Sequence, residues 1–139
     1  MTNIRLLGEG DEAILANVAD DVFDNPVDPE LTRQFLADPR HHIAVAIEDG
    51  VVVGMVTAVN YIHPDKPAEL WINEVGVAPS HQRRGIATRL MQAMFDHGRD
   101  LGCTTAWLGT ERHNTAAMGL YTSLEGTIGE ADTFFEWAL

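Results

Sequence analysis

Gln82-Arg83-Arg84-Gly85-Ile86-Ala87 is the stretch on which the reading of this chain turns. Upstream of it, Glu69-Leu70-Trp71-Ile72-Asn73-Glu74-Val75-Gly76-Val77 reads as a strand. Downstream, Gly85–Leu101 places Leu90, Met91, Met94, Phe95 and Leu101 at helical spacing. A strand that feeds a long helix through a short basic turn sets the helix N-terminus, with its unpaired N–H groups and partial positive charge, at that turn. Gly85 and Ala87 keep side chains clear of those N–H groups, so phosphate oxygens can approach them closely. The alternative is an arginine-rich turn that merely starts a surface helix. The hexapeptide alone does not decide between the two.

The flanking sequence supplies the fold. Thr104–Leu108 reads as a strand after the helix, and Gly102 ends that helix. Strand, helix and strand from Glu69 to Leu108 make one right-handed crossover with parallel strands. Before it, His42–Glu48 and Val51–Asn60 flank Asp49-Gly50, the strongest short hairpin signal. Asn3–Leu7 reads as a first strand. Asp11 is expected to cap a helix reaching about Phe23, with Ile14, Leu15, Val18 and Val22 on one face. Asp28 and Pro29 open a second helix that stops near Asp38-Pro39. Asn114–Ser123 predicts a short helix and Thr133–Ala138 a final strand. The expected class is therefore α/β (α+β): a mixed, mostly antiparallel central sheet with one parallel pair, helices on both faces, and a single domain over residues 1–139. In such a sheet a ligand belongs beyond the C-terminal end of the strand feeding the helix, where Gln82–Ala87 stands.

Composition narrows the partners. The 139 residues are 45% hydrophobic and 22% charged, and 21 acidic against 9 basic residues give a formal charge of −12. That balance argues against a nucleic-acid binder and fits a cationic substrate. Arg83, Arg84 and Arg89 nevertheless put three of the nine basic residues within seven positions, which points to an anion at the helix start. No apolar run approaches membrane-spanning length, and no membrane partner is expected. Met1-Thr2-Asn3-Ile4-Arg5 lacks the basic-then-apolar pattern of a signal peptide, and Cys103 is the one cysteine, so a cytoplasmic location is the expectation. The six histidines show no spacing that gathers ligands on one element, and no metal is expected.

Two motifs carry a resemblance. Gln82, Gly85 and Ala87 match the Gln/Arg-x-x-Gly-x-Gly/Ala run, and Asn114, Ala117 and Tyr121 match the Asn, small residue and Tyr, of the GNAT superfamily of acetyl-CoA-dependent N-acetyltransferases. The resemblance covers essentially the whole chain, strand order included. It implies acetyl-CoA as acetyl donor, with the pyrophosphate on Gln82, Arg83, Arg84, Gly85, Ile86, Ala87 and Thr88. It also implies a bulge that splays the fourth strand from the fifth, so that the pantetheine arm pairs with backbone around Val75 and Val77; Gly76 suits such a bulge. Asn114, Ala117 and Tyr121 share one helix face by their i, i+3, i+7 spacing. The resemblance makes Tyr121 the acid that protonates the departing thiolate and Asn114 a hydrogen-bonding group for the pantetheine or a water.

The acceptor amine arrives protonated and needs a base. Glu74 is the candidate. By strict alternation it shares a face with Leu70 and Ile72, and a carboxylate on an apolar-leaning face is expected to have a raised pKa. Within the superfamily the chain most resembles the aminoglycoside 3-N-acetyltransferases, through Ile43-Ala44-Val45-Ala46, Val53-Gly54, the Pro64–Pro67 loop, Glu69, an acidic residue at 74, His81–Thr88 and Leu120-Tyr121-Thr122. That branch often has Asp where this chain has Glu74, and usually Gly where it has Glu125. The branch resemblance implies direct acetyl transfer to an aminoglycoside amine, antibiotic resistance and a homodimer. An acceptor bearing several ammonium groups calls for carboxylates, and Asp21, Asp24, Asp28, Asp132 and Glu136 are the candidates, with Trp71 and Trp137 as apolar walls. Transfer to another small amine or to a protein amine is a second reading. A non-catalytic acyl-CoA-binding module is a third, against which the presence of both Glu74 and Tyr121 weighs.

Overall fold

Asp49 and Gly50 both take left-handed backbone, φ 51° and 78°, and join β2 (His41–Glu48) to β3 (Val51–Tyr61) in a tight antiparallel hairpin. Around it, the computed structural model, which describes residues 1–129 and 135–139, shows two compact units, Met1–Gly109 and Thr110–Leu139. In the first, β1 (Asn3–Leu6), β4 (Glu69–Val77) and β5 (Thr105–Trp107) complete a five-stranded sheet in the order β1-β2-β3-β4-β5. Every pair is antiparallel except β4 with β5, which is parallel, as the crossover requires.

The helices α1 (Pro29–Ala37) and α2 (Ile86–Asp100) start as their sequences dictate. The Asp28 carboxylate accepts the Leu31 N–H at 2.9 Å, with Pro29 behind it. Gly102, at φ 83°, closes α2. Leu90, Met91 and Met94 of α2 are buried against the sheet face that carries Gly54; a Cβ there would stand 3.2 Å from Leu90 and 3.3 Å from Ile86. The opposite face, carrying Met55 and Thr57, turns toward α1 and the segment before it. On that side the backbone of Val22 presses so close to Gly76 that a Cβ would meet the Val22 carbonyl oxygen at 2.2 Å. Gly76 therefore serves close backbone approach rather than a bulge.

The expected helix from Asp11 to Phe23 does not form. One 3-10 turn, Glu12–Ala16, is all that follows Asp11, whose carboxylate accepts Gly8 N–H at 2.9 Å and pairs with Arg5 at 2.9 Å. Beyond it the chain runs along β3: Ala19 N–H reaches Val52 O, and Val52 N–H reaches Asn17 O, each at 2.9 Å. Exposed strand groups at Val52 offer this segment a ladder, and its β-branched valines and Asx residues favour that over helix. Leu15 and Val22 are buried all the same, so the apolar spacing marked core positions without marking a helix. Thr133 and the neighbouring Phe134 lie outside the described residues, and 135–139 are not in a strand.

Between α2 and the sheet runs a part-buried polar chain. His97 Nε2 lies 2.9 Å from His42 Nδ1, and His42 Nε2 lies 2.6 Å from Asn60 Oδ1. Each imidazole donates through Nε2 in this arrangement. Burial, then the neighbouring His42, pushes the His97 pKa down, against a smaller upward pull from Asp100. The unfolded chain thus takes up this proton before the folded one. Stability is intact above the ordinary histidine value of about 6.5 and falls as pH drops through it. Melting temperatures between about pH 7.5 and 5.5 are expected to decline in the wild type and to decline less in His97→Gln.

Candidate functional site

The register of β4 decides where Glu74 points. Glu74 pairs with Thr57 and Ile72 with Ala58, so the strand slips by one residue at Asn73. Opposed residues share a face and successive residues alternate. The bulge therefore leaves Leu70 and Ile72 on the α2 face, where Leu70 packs on Gly98, and turns Glu74 to the α1 face beside Thr57. Strict alternation had put Glu74 with Leu70 and Ile72; the bulge at Asn73 corrects that. Glu74 is moreover exposed rather than buried on an apolar face.

On the α1 face Glu74 enters a cleft of about 320 Å³. Its floor includes Thr57 and Ile43, which pair across β3 and β2, and its wall includes Phe35 of α1. Asp24 and Asp28, from the acidic link ahead of α1, stand on its lining with Glu74. Three of the acidic residues singled out in the sequence thus line one cleft, Asp28 with its carboxylate held on the Leu31 N–H as the cap of α1. Asp21, in left-handed backbone at φ 62°, does not line the cleft. Trp71 does not either. It stacks on Trp107 across the β4–β5 pair, 4.8 Å between ring centroids and 16° from parallel, on the same sheet face. Trp107 Nε1 donates to the Tyr61 hydroxyl, which donates to Glu69 at 2.8 Å.

The turn between β4 and α2 has the backbone of an anion cradle. Arg83 and Gly85 are both left-handed, at φ 63° and 75°, a sequence of conformations that converges successive N–H groups. Gly85 is the N-cap of α2 and supplies no side-chain acceptor, so the first-turn N–H groups of Ile86, Ala87 and Thr88 lack a side-chain cap. Apart from its chain neighbours, no atom of the described residues lies within 4 Å of where a Gly85 Cβ would stand. Gln82 Nε2 donates to Val77 O at 3.1 Å and ties the turn to the end of β4. The three clustered arginines divide: Arg89 donates to Thr2 O at 3.1 Å, Arg84 stands 4.0 Å from Glu48, and Arg83 has no ion pair among the described residues. Glu48 also accepts from His81, and that hydrogen bond lowers its pKa. Along β4, β5 pairs with Glu69–Trp71 alone, so the edge from Ile72 through Val75, Gly76 and Val77 that faces away from β3 has no strand partner among the described residues.

In the second unit, α3 (Thr115–Ser123) carries the other motif. Asn114 is its N-cap, and Asn114 Oδ1 accepts the Ala117 N–H at 3.1 Å. Tyr121 is half-buried, and that burial pushes its phenol pKa up. Glu136 is exposed, Trp137 stacks near Phe135 with centroids 5.8 Å apart, and Asp132 lies outside the described residues. No helix among the described residues is long and apolar enough to cross a membrane, and none of their His, Cys, Asp and Glu side chains cluster in a way that would hold a metal ion.

Sequence reasoning missed Thr57, Ile43 and Phe35. Thr57 had a signal, being the hydroxyl in the run Val51-Val52-Val53-Gly54-Met55-Val56-Thr57-Ala58-Val59. The other two are apolar residues like any core residue.

A mixed sheet whose antiparallel hairpin leads into a parallel crossover, with an anion-shaped turn at the crossover helix, suits a phosphate-bearing ligand beyond the end of β4. The description "Acetyltransferase (GNAT) family" matches residues 13–125, and the chain belongs to that family. The N-alpha-acetyltransferase RimI of Mycobacterium tuberculosis is 31% identical over 103 residues, 74% of this chain and 63% of its own length. An aminoglycoside acetyltransferase, meta-AAC0020, from an uncultured soil metagenomic sample, solved in complex with sisomicin, has TM-score 0.82 at 21% identity, over 99% of this chain and 96% of its own. AAC(6')-Iy, solved with the bisubstrate analog CoA-S-monomethyl-acetylneamine, has TM-score 0.82 at 20% identity, over 100% and 99%. At such identities the two structures speak to the fold. The chain spans less than two thirds of the length of the first curated relatives it matches.

Proposed function

We propose that this chain, acting as one domain over residues 1–139, moves the acetyl group of acetyl-CoA directly to an amine of a small polycationic acceptor. The acceptor of choice is an aminoglycoside, at its 3-N position, with antibiotic resistance as the outcome. The observation that carries the reading is the cleft in which Glu74 meets Asp24 and Asp28. Carboxylates on one lining favour an acceptor with several ammonium groups, and the net charge of −12 draws such a molecule in. Family membership and aminoglycoside acetyltransferases among the fold neighbours support it. The 3-N position rests on the branch resemblance alone.

The donor fits the residues present. The left-handed pair Arg83 and Gly85 and the uncapped N–H groups of Ile86, Ala87 and Thr88 would take the pyrophosphate, with Arg83 and Arg84 adding charge. The unpaired edge at Val75–Val77 would take the amide-bearing arm. Acetyl-CoA supplies the activated acetyl thioester. Glu74 takes a proton from the acceptor ammonium, freeing the nitrogen lone pair. The carbon–nitrogen bond would form as the carbon–sulfur bond breaks. The departing sulfur would take a proton, the role proposed for Tyr121, and the second proton shed by the new amide nitrogen would restore the phenol. Burial that raises a phenol pKa keeps that proton in place at neutral pH.

A second reading, transfer to a protein α-amine, is favoured by the relative named an N-alpha-acetyltransferase. One assay separates them. The protein is given acetyl-CoA with aminoglycosides, polyamines and peptides, and thiol release is followed. The proposal expects turnover on aminoglycosides, with the product acetylated at 3-N by NMR. Turnover confined to peptides establishes the second reading. Acetyl-CoA binding without turnover on any acceptor reduces the chain to a binding module.

A further inference from the structure

We infer that Thr57 is an acceptor-binding residue: its hydroxyl accepts a hydrogen bond from the same nitrogen that gives its proton to Glu74. The inference deepens the proposed function and rests on it. Thr57 is 7% exposed, and its Oγ1 has no hydrogen-bond partner among the described residues although it is shut off from solvent. A buried hydroxyl without a partner is destabilising, and native proteins rarely leave one so without a use. The same positions along β3 that face α1 are otherwise apolar at Val53, Met55 and Val59, so valine, the near-isostere, would pack there without that cost.

Place gives the hydroxyl its use. Thr57 lines the cleft and lies directly opposite Glu74 in the β3–β4 ladder, and opposed side chains of an antiparallel pair stand about 5 Å apart at Cβ. One nitrogen set between them meets both. The bulge at Asn73 creates this pairing; without the slip, Thr57 would stand opposite Asn73, and Glu74 would stand opposite Val56 and face α2. An ammonium carries more than one N–H. One proton passes to the Glu74 carboxylate, and another N–H stays on Thr57 Oγ1, which fixes the direction of the freed lone pair. Thr57 Oγ1 is closed to solvent, so the contact is made when rotation about χ1 turns the hydroxyl into the cleft that Thr57 lines.

The test uses Thr57→Val and Thr57→Ser in the full chain. With an accepted aminoglycoside, Thr57→Val is expected to raise the acceptor KM or lower kcat/KM by roughly tenfold to a hundredfold, with the KM for acetyl-CoA unchanged, and Thr57→Ser is expected to restore most of the loss. Without ligands, Thr57→Val is expected to melt at or above the wild-type temperature. Added aminoglycoside, with no donor present, raises the melting temperature of wild type and Thr57→Ser more than that of Thr57→Val. Unchanged acceptor kinetics in a folded Thr57→Val protein overturns the inference and leaves the proposed function standing. A valine variant that melts lower, loses affinity for donor and acceptor alike and is not rescued by serine assigns Thr57 a structural role and overturns it too. Wild type with no turnover on any amine removes the proposed function, and the inference with it.

Discussion

Glu74→Gln is expected to lower kcat by roughly a hundredfold to ten-thousandfold, the range over which a positioned general base acts. Glutamine keeps the length of the side chain and can still hydrogen-bond an ammonium, yet it cannot take the proton. The acceptor then reaches the cleft and stays charged. Donor affinity is expected to hold, because Glu74 faces α1 beside Thr57 while the turn at Arg83–Gly85 and the backbone edge of β4 carry the donor contacts proposed above. The pH profile adds a signature. Residual activity of the variant should climb toward high pH as free amine supplies itself. Thiol release under saturating acetyl-CoA, with donor affinity measured by titration calorimetry, reads both quantities. A fully active Glu74→Gln protein means that another group, or water alone, takes the proton.

Gly85→Val is expected to weaken acetyl-CoA binding by about tenfold to a hundredfold while leaving the affinity for the acceptor nearly unchanged. Gly85 holds φ 75°, where a β-branched residue is a genuine outlier, and strain of this kind costs about 1–3 kcal/mol. Relief of that strain requires the first turn of α2 to move, and the N–H groups of Ile86, Ala87 and Thr88 move with it. No atom of the described residues opposes the new side chain, so the fold itself is expected to survive with a lowered melting temperature. Donor affinity of a folded Gly85→Val protein that equals the wild type's would remove the turn from the donor site. Arg83 gives the matching control. It holds left-handed backbone at φ 63°, so Arg83→Gly relieves strain and removes charge, which separates the two contributions.

Much of this architecture is readable from short-range chemistry. Asp49-Gly50 admits left-handed backbone at both turn positions, and the hairpin forms there. Asp28-Pro29 and Gly102 bound their helices because caps act within a few residues. The errors arise where a distant partner decides. The segment after Asp11 has a helical apolar spacing, but the open backbone of Val52, more than thirty residues away, takes it up as a strand-like run. The face of Glu74 was misassigned because a period of two carries no mark of an extra residue; the slip at Asn73 is a property of the β3–β4 pairing. Gly76 was given that slip, whereas its lack of a side chain answers the Val22 carbonyl. At the site, Glu74, Asp24 and Asp28 were legible as carboxylates, and their meeting in one cleft was not, since it depends on how the link before α1 folds back over the sheet. Arg89 shows the converse: it clusters with Arg83 and Arg84 in sequence but donates to the carbonyl of Thr2.

Docking of a cationic amine in the cleft between α1 and the Thr57–Glu74 pair is tested most directly by backbone amide shifts on titration of isotope-labelled protein with an aminoglycoside. The expected shifts are concentrated at Asp24–Phe35, Thr57 and Glu74, saturate together and weaken in Glu74→Gln and Asp24→Asn. Shifts gathered instead around the Trp71–Trp107 stack, or the absence of any saturable shift in those segments, would contradict docking in that cleft.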